Sequence, residues 1–98
     1  MQPKPLRLLG LAKRAGKIAC GMDAVEEAAG QAHAVFLASD AGQAVRRGAK
    51  RYGNRASELP YGKEELGRAV GRESCAVAAV IDEKFSQGII EALQMEES

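Results

Sequence analysis

The chain has 98 residues, of which 46% are hydrophobic and 28% are charged, and its formal net charge is +1. That length suits one compact domain, which buries somewhat more than about 60% of the surface that its unfolded chain exposes. The sequence begins without the apolar core of a signal peptide, and no run approaches the roughly 18 apolar residues that a membrane span requires. We therefore expect a single domain over residues 1–98, cytoplasmic and without a membrane partner.

The two cysteines and the single histidine limit the chemistry that the chain can perform. Cys20 and Cys75 lie far apart, with no Cys-x-x-Cys pair and no second type of ligand nearby, so neither a disulfide framework nor a zinc site is indicated. His33 opens an apolar run, where a packed or capped histidine is commoner than a catalyst, and no triad-like spacing gives it partners. Gly21-Met-Asp lacks the lysine and serine of a Walker motif. We expect no catalytic activity, no metal and no cofactor.

Basic and acidic residues are divided unevenly along the chain. Residues 1–55 hold ten Lys or Arg against four Asp or Glu, a charge of +6, whereas residues 56–98 hold four against nine, a charge of −5. The two halves together return the overall charge of +1. An asymmetry of this size indicates an anionic partner for one face of the protein, although it can also serve solubility alone.

The first predicted helix covers about residues 5–15. Leu6, Leu9 and Ala12 recur at helical spacing and form an apolar stripe. A proline is tolerated in the first turn of a helix, as at Pro5, and a glycine commonly follows the last turn, as at Gly16.

Residues 16–30 have the layout of a binding site. A short extended run at about 17–20 is followed by a helix that begins at Gly21 and ends near Gly30. The first N–H groups of a helix have no internal partner, and a glycine there lets another molecule come close, so the natural ligand is a phosphate. In the alternative interpretation, Gly21 is only a turn residue and Asp23 only a carboxylate favoured by the helix dipole.

The next strand and helix favour a layered fold with a basic surface. Residues 33–38 are continuously apolar, which indicates a strand buried on both faces with helices on either side. Residues 41–52 read as a helix with Ser39 and Asp40 as candidate caps. This helix crowds like charges at i, i+4 spacing, which costs a few tenths of a kcal/mol per pair unless an anion relieves them. The residues concerned are Arg46, Arg47, Lys50 and Arg51. A merely solvated helix face is the alternative.

The carboxyl-terminal part alternates helix and strand again. We expect a loop from residue 54 with a short edge strand at about 58–61, because Pro60 is confined to edges. A helix at about 63–70 and a second buried strand at about 74–81 follow. Asp82 is a suitable cap for a last helix that runs to about Leu93. The termini, residues 1–4 and 95–98, are expected to fray.

Five segments, in this order and spacing, resemble the kink-turn-binding ribosomal-protein superfamily. Within it the chain is similar to the bacterial YlxQ-like branch, relatives of the archaeal large-subunit ribosomal protein seven-Ae. The matching segments are residues 10–17, 21–25, 34–40, 63–71 and 76–82. The resemblance implies an α/β fold, a three-layer α-β-α sandwich with a mixed four-stranded sheet whose first and last strands are neighbours. It would also place Cys20 and Cys75 on adjacent strands, close enough for a strained disulfide under oxidation.

The resemblance further implies a non-catalytic RNA-binding protein that is associated with ribosomes or transcripts. The family sets the amino end of its second helix into the widened major groove of an RNA kink-turn, and the loop before the last strand packs on the bulged nucleotides. The implied partners are structured RNA, either a kink-turn or ribosomal RNA, and ribosomal or transcription proteins, with this chain as a monomer. The implied RNA-binding residues are Lys13, Arg14, Lys17, Gly21, Met22, Asp23, Ala24, Glu27, Gly71, Arg72, Glu73, Ser74 and Cys75.

The chain departs from the family pattern at the start of the second helix. Familiar kink-turn binders carry Asn-Glu at the positions of Asp23-Ala24 and Lys at the position of Glu27. The major-groove edge of guanine offers acceptors, whereas ionised carboxylates offer only further acceptors and repel phosphate. Three outcomes stay open: a different RNA, weak binding, or action through another surface such as the Arg46–Arg51 face. A protein-interaction module that keeps the fold but has lost kink-turn readout is the alternative function.

Overall fold

A mixed four-stranded sheet forms the central layer. The computed structural model describes residues 2–97, with side chains through residue 96. The strands are β1 (Ile18–Cys20), β2 (Ala34–Leu37), β3 (Ala56–Glu58) and β4 (Val77–Val80). They lie in the order β1-β4-β2-β3. β4 is antiparallel to both of its neighbours, and β2 and β3 are parallel. The first and last strands are therefore neighbours, as expected.

Within residues 2–97, five α-helices surround the sheet. They are α1 (Lys4–Arg14), α2 (Met22–Glu27), α3 (Gln43–Ala49), α4 (Lys63–Ala69) and α5 (Glu83–Glu97). A 3-10 segment, Lys50–Arg55, continues α3. No helix within residues 2–97 is long and apolar enough to cross a membrane.

Side-chain alternation along the two central strands separates two hydrophobic clusters. On β2, Phe36 faces one cluster and Val35 the other, and both side chains are fully buried. The Phe36 cluster includes Leu9 of α1, Leu66 of α4 and Ile89 of α5. The Val35 cluster includes Val25 of α2, Ala49 of α3 and Tyr52 of the 3-10 segment. Helices thus cover both faces of β2 and β4, which confirms the three-layer α-β-α sandwich and the buried strands predicted at 33–38 and 74–81.

The edge strand β3 lies two to three residues earlier than predicted. It covers Ala56–Glu58 instead of 58–61, and its ladder with β2 ends where the Leu59 amide donates to the Leu37 carbonyl at 2.8 Å. Pro60 has no amide to continue the ladder, so the edge strand was predicted correctly as such, but it ends before the proline instead of including it.

Two predicted caps have different outcomes. Asp82 caps α5 as expected, since the Phe85 amide donates to its Oδ2 at 2.9 Å. Asp40 does not cap α3, which begins after Gly42 without a side-chain cap. Its Oδ1 instead accepts a 2.8 Å hydrogen bond from the Lys63 amide, at the start of α4. The carboxylate therefore satisfies an orphan amide of a helix that lies distant in sequence.

Two further expectations need correction. The last helix does not end at Leu93 but continues to Glu97, and the Tyr61 hydroxyl donates to Glu96 Oε2 at 2.6 Å. That contact ties the last turn of α5 to the segment before α4. Fraying of the termini stays a prediction, and Met1 and Ser98 lie outside the described residues. His33 is exposed and not packed, although its amide donates to the Val80 carbonyl.

Candidate nucleic-acid interface

Gly21 makes the turn between β1 and α2. Its φ of 89° lies in the left-handed region, which L side chains rarely adopt. Its amide donates to the Val77 carbonyl at 2.9 Å, and its carbonyl accepts from the Val25 amide at 2.9 Å. The Gly21 amide is therefore bonded to the start of β4. The amides at the start of α2 that have no partner within the helix are those of the residues after Gly21.

Arg72 lies directly beside this turn. Its Nη1 donates to the Cys20 carbonyl at 3.0 Å. The same nitrogen lies 3.7 Å from the point that a Cβ on Gly21 would occupy. A Cβ at that distance would be in ordinary contact with the guanidinium, so it is the positive φ of Gly21, and not the space beside Arg72, that favours glycine here. The guanidinium places positive charge at the junction of β1 and α2.

The α4–β4 turn, residues 71–75, is fixed against α4 by backbone contacts. The Arg72 amide donates to the Gly67 carbonyl at 2.8 Å, and the Cys75 amide donates to the Lys63 carbonyl at 3.0 Å. A Cβ on Gly67 would lie 2.6 Å from the Cα of Ser74. Real Cβ atoms do not approach backbone atoms so closely, so the glycine is what allows the turn to fold back onto the helix and aim Arg72 at Cys20.

A groove of about 430 Å³ runs along the free edge of β1 between α1 and α2. We call it the α2 groove. Residues from four elements line it, including Lys13, Cys20, Ala24, Glu27, Gln31 and Arg72. Four of the predicted site residues, Lys13, Ala24, Glu27 and Arg72, are therefore brought together. Their charges are mixed, with two cations facing one carboxylate.

A second depression, of about 560 Å³, lies between α1 and α4, and we call it the α1–α4 pocket. It contains three predicted site residues, Lys13, Arg14 and Gly71. Lys13 lines both depressions, so the two are neighbours on one side of the molecule.

The other predicted site residues lie elsewhere. Lys17 is exposed at the opposite end of β1 from Gly21, and its carbonyl accepts from the Ile81 amide. The half-buried Met22 packs against Gly48 of α3. Ser74 lines a separate depression that includes Asp40, and the side chain of Cys75 is buried in the core. Two exposed acids, Asp23 and Glu73, line neither the α2 groove nor the α1–α4 pocket.

Cys20 lines the α2 groove, and its thiol is hydrogen-bonded to that of Cys75, which lies behind it in the core. Hydrogen bonding from Cys75 lowers the pKa of Cys20 to about 6, supported by the charges of Lys13 and Arg72 and opposed by burial. The same bond, together with burial, raises the pKa of Cys75 well above its ordinary value. The Cys75 sulfur also lies 3.2 Å from the Val77 carbonyl oxygen. Both cysteines are free. The resemblance implied that they lie on adjacent strands, but only Cys20 lies on a strand, since Cys75 lies two residues before the start of β4.

The basic residues of α3 and the 3-10 segment are largely engaged in the fold. Arg46 donates to the carbonyls of Ser39 and Ala41 and pairs with Glu58. Arg51 lies 3.9 Å from a carboxylate oxygen of Glu26. The crowded charges of this face are thus relieved partly by internal partners, and the anionic ligand inferred from their spacing is not needed to explain Arg46 or Arg51.

Arg7, Gly67 and Arg68 are residues of this region that the sequence interpretation missed. Arg7 and Arg68 line the α1–α4 pocket, and Gly67 seats the α4–β4 turn. A glycine inside a helical pattern was the available signal for close packing at Gly67. No sequence signal pairs Arg7 with Arg68, since their proximity depends on how α1 and α4 pack.

The chain is similar to proteins that are described as RNA-binding. No protein-family model matches it. It is 37% identical over 94 residues to the RNA-binding protein YlxQ of Bacillus subtilis (strain 168), across 88% of this chain and 91% of that protein.

Solved structures share its fold. A Bacillus halodurans protein of unknown function matches with a TM-score of 0.81 and 31% identity, across 95% of this chain and 99% of that one. The Giardia lamblia 15.5kD RNA binding protein matches with a TM-score of 0.67 and 20% identity, across 94% of this chain and 83% of that one. At 20% identity, the second likeness is evidence of a common fold alone.

Proposed function

Because the chain belongs to the YlxQ family, we propose that it is a non-catalytic protein that binds structured RNA through the α2 groove. The observation that carries this proposal is the convergence of Lys13, from α1, and Arg72, from the α4–β4 turn, on the junction of β1 and α2. A bacterial relative named as an RNA-binding protein supports it over nearly the whole chain.

In this proposal the two cations bind backbone phosphates. The guanidinium of Arg72 is planar and already oriented by its bond to the Cys20 carbonyl, so less rotamer freedom is lost on binding. Lys13 is an exposed ammonium on the opposite wall of the groove. Such contacts supply affinity and salt dependence, whereas sequence choice comes from groups that reach base edges.

Glu27 supplies base readout in the same proposal. Its exposed carboxylate lines the groove one helical turn after Ala24. An ionised carboxylate accepts hydrogen bonds, and in a major groove the amino groups of cytosine and adenine donate them. The chain therefore binds a kink-turn that presents an amino group to Glu27, in ribosomal RNA or in a transcript. It binds more weakly to kink-turns that present guanine there.

Filter binding with a kink-turn RNA and a duplex of equal length, each at two salt concentrations, tests this function. We expect the kink-turn to be retained more strongly, and Arg72→Gln to weaken its retention roughly 10-fold or more, as the loss of one charged contact allows. Lys84→Gln removes the same charge from the exposed start of α5, outside both depressions, and should change little. Equal and negligible retention of both RNAs by the unmodified protein would rule the proposal out.

The second candidate function is a protein-interaction module on the same fold. It is favoured by Asp23 and Glu27, two exposed carboxylates on a six-residue helix that would otherwise face phosphates. Ribosomal or transcription proteins with basic surfaces are the partners that fit such a helix. Pull-down from nuclease-treated lysate separates the two functions, because a protein partner survives loss of RNA and a partner bridged by RNA does not.

A further inference from the structure

The α1–α4 pocket has a lining whose charged residues are all basic. They are Arg7, Lys13, Arg14 and Arg68, and no acidic residue lines the pocket. All four side chains are exposed. Its charge therefore differs in kind from that of the α2 groove, where Glu27 opposes the cations.

Close packing of α1 on α4 builds this pocket. A Cβ on Gly10 would lie 2.9 Å from the Ala69 carbonyl oxygen, so the glycine is what allows the two helices to approach. Arg7 and Arg14 are seven residues apart on α1, about two turns, and therefore project from the same side of the helix. Arg68 comes from the last turn of α4 and completes the cationic lining.

The fold does not require this set of charges. α1 carries four basic residues and no acid, and Arg7 sits in its first turn, where the helix dipole disfavours a cation. Arg14 and Arg68 lie in last turns, which the dipole favours, but neither is paired with a carboxylate among residues 2–96. Glu65 lines an adjacent depression together with Arg68, but its Oε1 accepts from the Gly62 amide at 3.2 Å and forms no ion pair with Arg68. None of the four cations of the pocket therefore has an ion-pair partner among residues 2–96.

We propose that the α1–α4 pocket binds backbone phosphates of the same RNA that occupies the α2 groove, with Arg7 and Arg68 as contact residues. This inference rests on the proposed function. Lys13 lines both depressions, so one RNA strand can follow the surface from the α2 groove past Lys13 and Gly71 to Arg7. The pocket contributes affinity without sequence choice, because guanidinium groups on phosphate oxygens read charge and geometry and not base identity.

The double variant Arg7→Gln, Arg68→Gln tests this inference in the full chain. Each phosphate contact contributes about 0.9 to the slope of log affinity against log salt on a duplex, so the variant should lower the slope by about 2. Affinity for the kink-turn RNA and for the duplex should fall by a similar factor. The control Lys63→Gln, Lys84→Gln removes the same charge from exposed residues outside both depressions and should keep the slope.

Hydroxyl-radical footprinting of the bound RNA gives a second readout that net charge alone does not move. The unmodified protein should protect two separate backbone segments, and the double variant should lose only one of them. An unchanged slope and two intact footprints would overturn this inference and leave the proposed function standing, whereas no RNA binding by the unmodified protein would overturn both. Thermal unfolding of each variant checks that the fold is retained, as expected for substitutions of exposed side chains.

Discussion

Glu27 is the residue whose chemistry most directly determines which RNA the groove accepts. Its carboxylate is exposed beside Ala24 and faces Lys13 and Arg72 across the groove. The sequence alone identified this residue as a departure from the family pattern, because only its type and its position in the second helix were needed. What the sequence did not show is that two cations share the groove with it.

Glu27→Lys should strengthen binding to a kink-turn that presents guanine at this position. The lysine can donate to guanine N7 and O6, and one such base contact is worth about 1–3 kcal/mol, or roughly 5-fold to 150-fold in affinity. Titration of both proteins with the same RNA measures the change. Glu91→Lys makes an equal charge change on exposed α5, outside the α2 groove. If the two variants gain the same affinity for the RNA, the change in net charge, and not a base contact, is responsible.

Cys20 should react with iodoacetamide at lower pH than an ordinary cysteine. Its pKa is lowered to about 6, so its thiolate fraction, and with it the alkylation rate, should rise through a midpoint near pH 6 and level off above it. Cys75→Ala removes the hydrogen bond that lowers this pKa most and should move the midpoint to higher pH. Mass spectrometry assigns the modified residue. A midpoint unchanged in the variant would contradict the hydrogen-bonded pair.

At the scale of elements, the α4–β4 turn depends on a glycine in the middle of a short helix. Gly67 leaves room for Ser74, and the backbone bonds from Arg72 and Cys75 fix the turn on α4. The position of the Arg72 side chain therefore depends on how the turn packs on α4, and not on the sequence of the turn alone.

Gly67→Ala should destabilise the protein and weaken RNA binding together. The added methyl group would lie 2.6–2.9 Å from three backbone atoms, so the turn must move, at a cost of about 1–3 kcal/mol in the free energy of unfolding. Gly88→Ala is the matched control, since its Cβ would meet only Leu8 at 3.7 Å. In that helix interior, alanine should stabilise by up to about 1 kcal/mol. Urea unfolding shows whether each variant has a lower or a higher free energy of unfolding than the unmodified protein. Equal changes in the two variants would contradict the close approach of the α4–β4 turn to Gly67.

Hydrophobic pattern and helix-end signals were sufficient to predict most elements, and the predictions that failed depend on contacts between residues distant in the chain. The continuous apolar runs gave β2 and β4 correctly, because burial on both faces leaves a direct mark on the sequence. The end of α5 and the target of Asp40 were wrong because each depends on a partner distant in the chain, Tyr61 and Lys63 respectively. Short-range signals carry no information about such partners.

At the scale of the whole molecule, the basic half of the chain divides into two sets of cations. Arg46 and Arg55 hold backbone carbonyls, and the guanidinium of Arg55 donates to Ala29 and Ala32 across the connection between α2 and β2. Among residues 2–96 none of the cations that line the two depressions forms an ion pair, although Arg72 donates to the Cys20 carbonyl. Counting charges predicted an anionic partner for one face, but it could not separate these sets, because the separation is made by tertiary contacts.

Arg46→Gln should therefore lower stability without changing RNA affinity. It removes two hydrogen bonds to carbonyls and a half-exposed ion pair, which together contribute about 1–2 kcal/mol after allowance for solvent. Arg47→Gln, at the exposed neighbouring position, should leave the free energy of unfolding unchanged. Denaturant unfolding and filter binding of both variants measure the two properties separately. If Arg46→Gln lowered RNA affinity without lowering the free energy of unfolding, this face would be part of the RNA-binding surface.

The position of β4 between β1 and β2 has a consequence for synthesis of the protein. Cys20 pairs with Ala78, and Phe36 pairs with the same residue from the other side, so neither early strand has its central neighbour until β4 has been translated. Arg72 likewise reaches Cys20 only after α4 has formed. A nascent chain on the ribosome therefore has no assembled groove, and its capacity to capture RNA should arise late and abruptly, when the last strand is inserted.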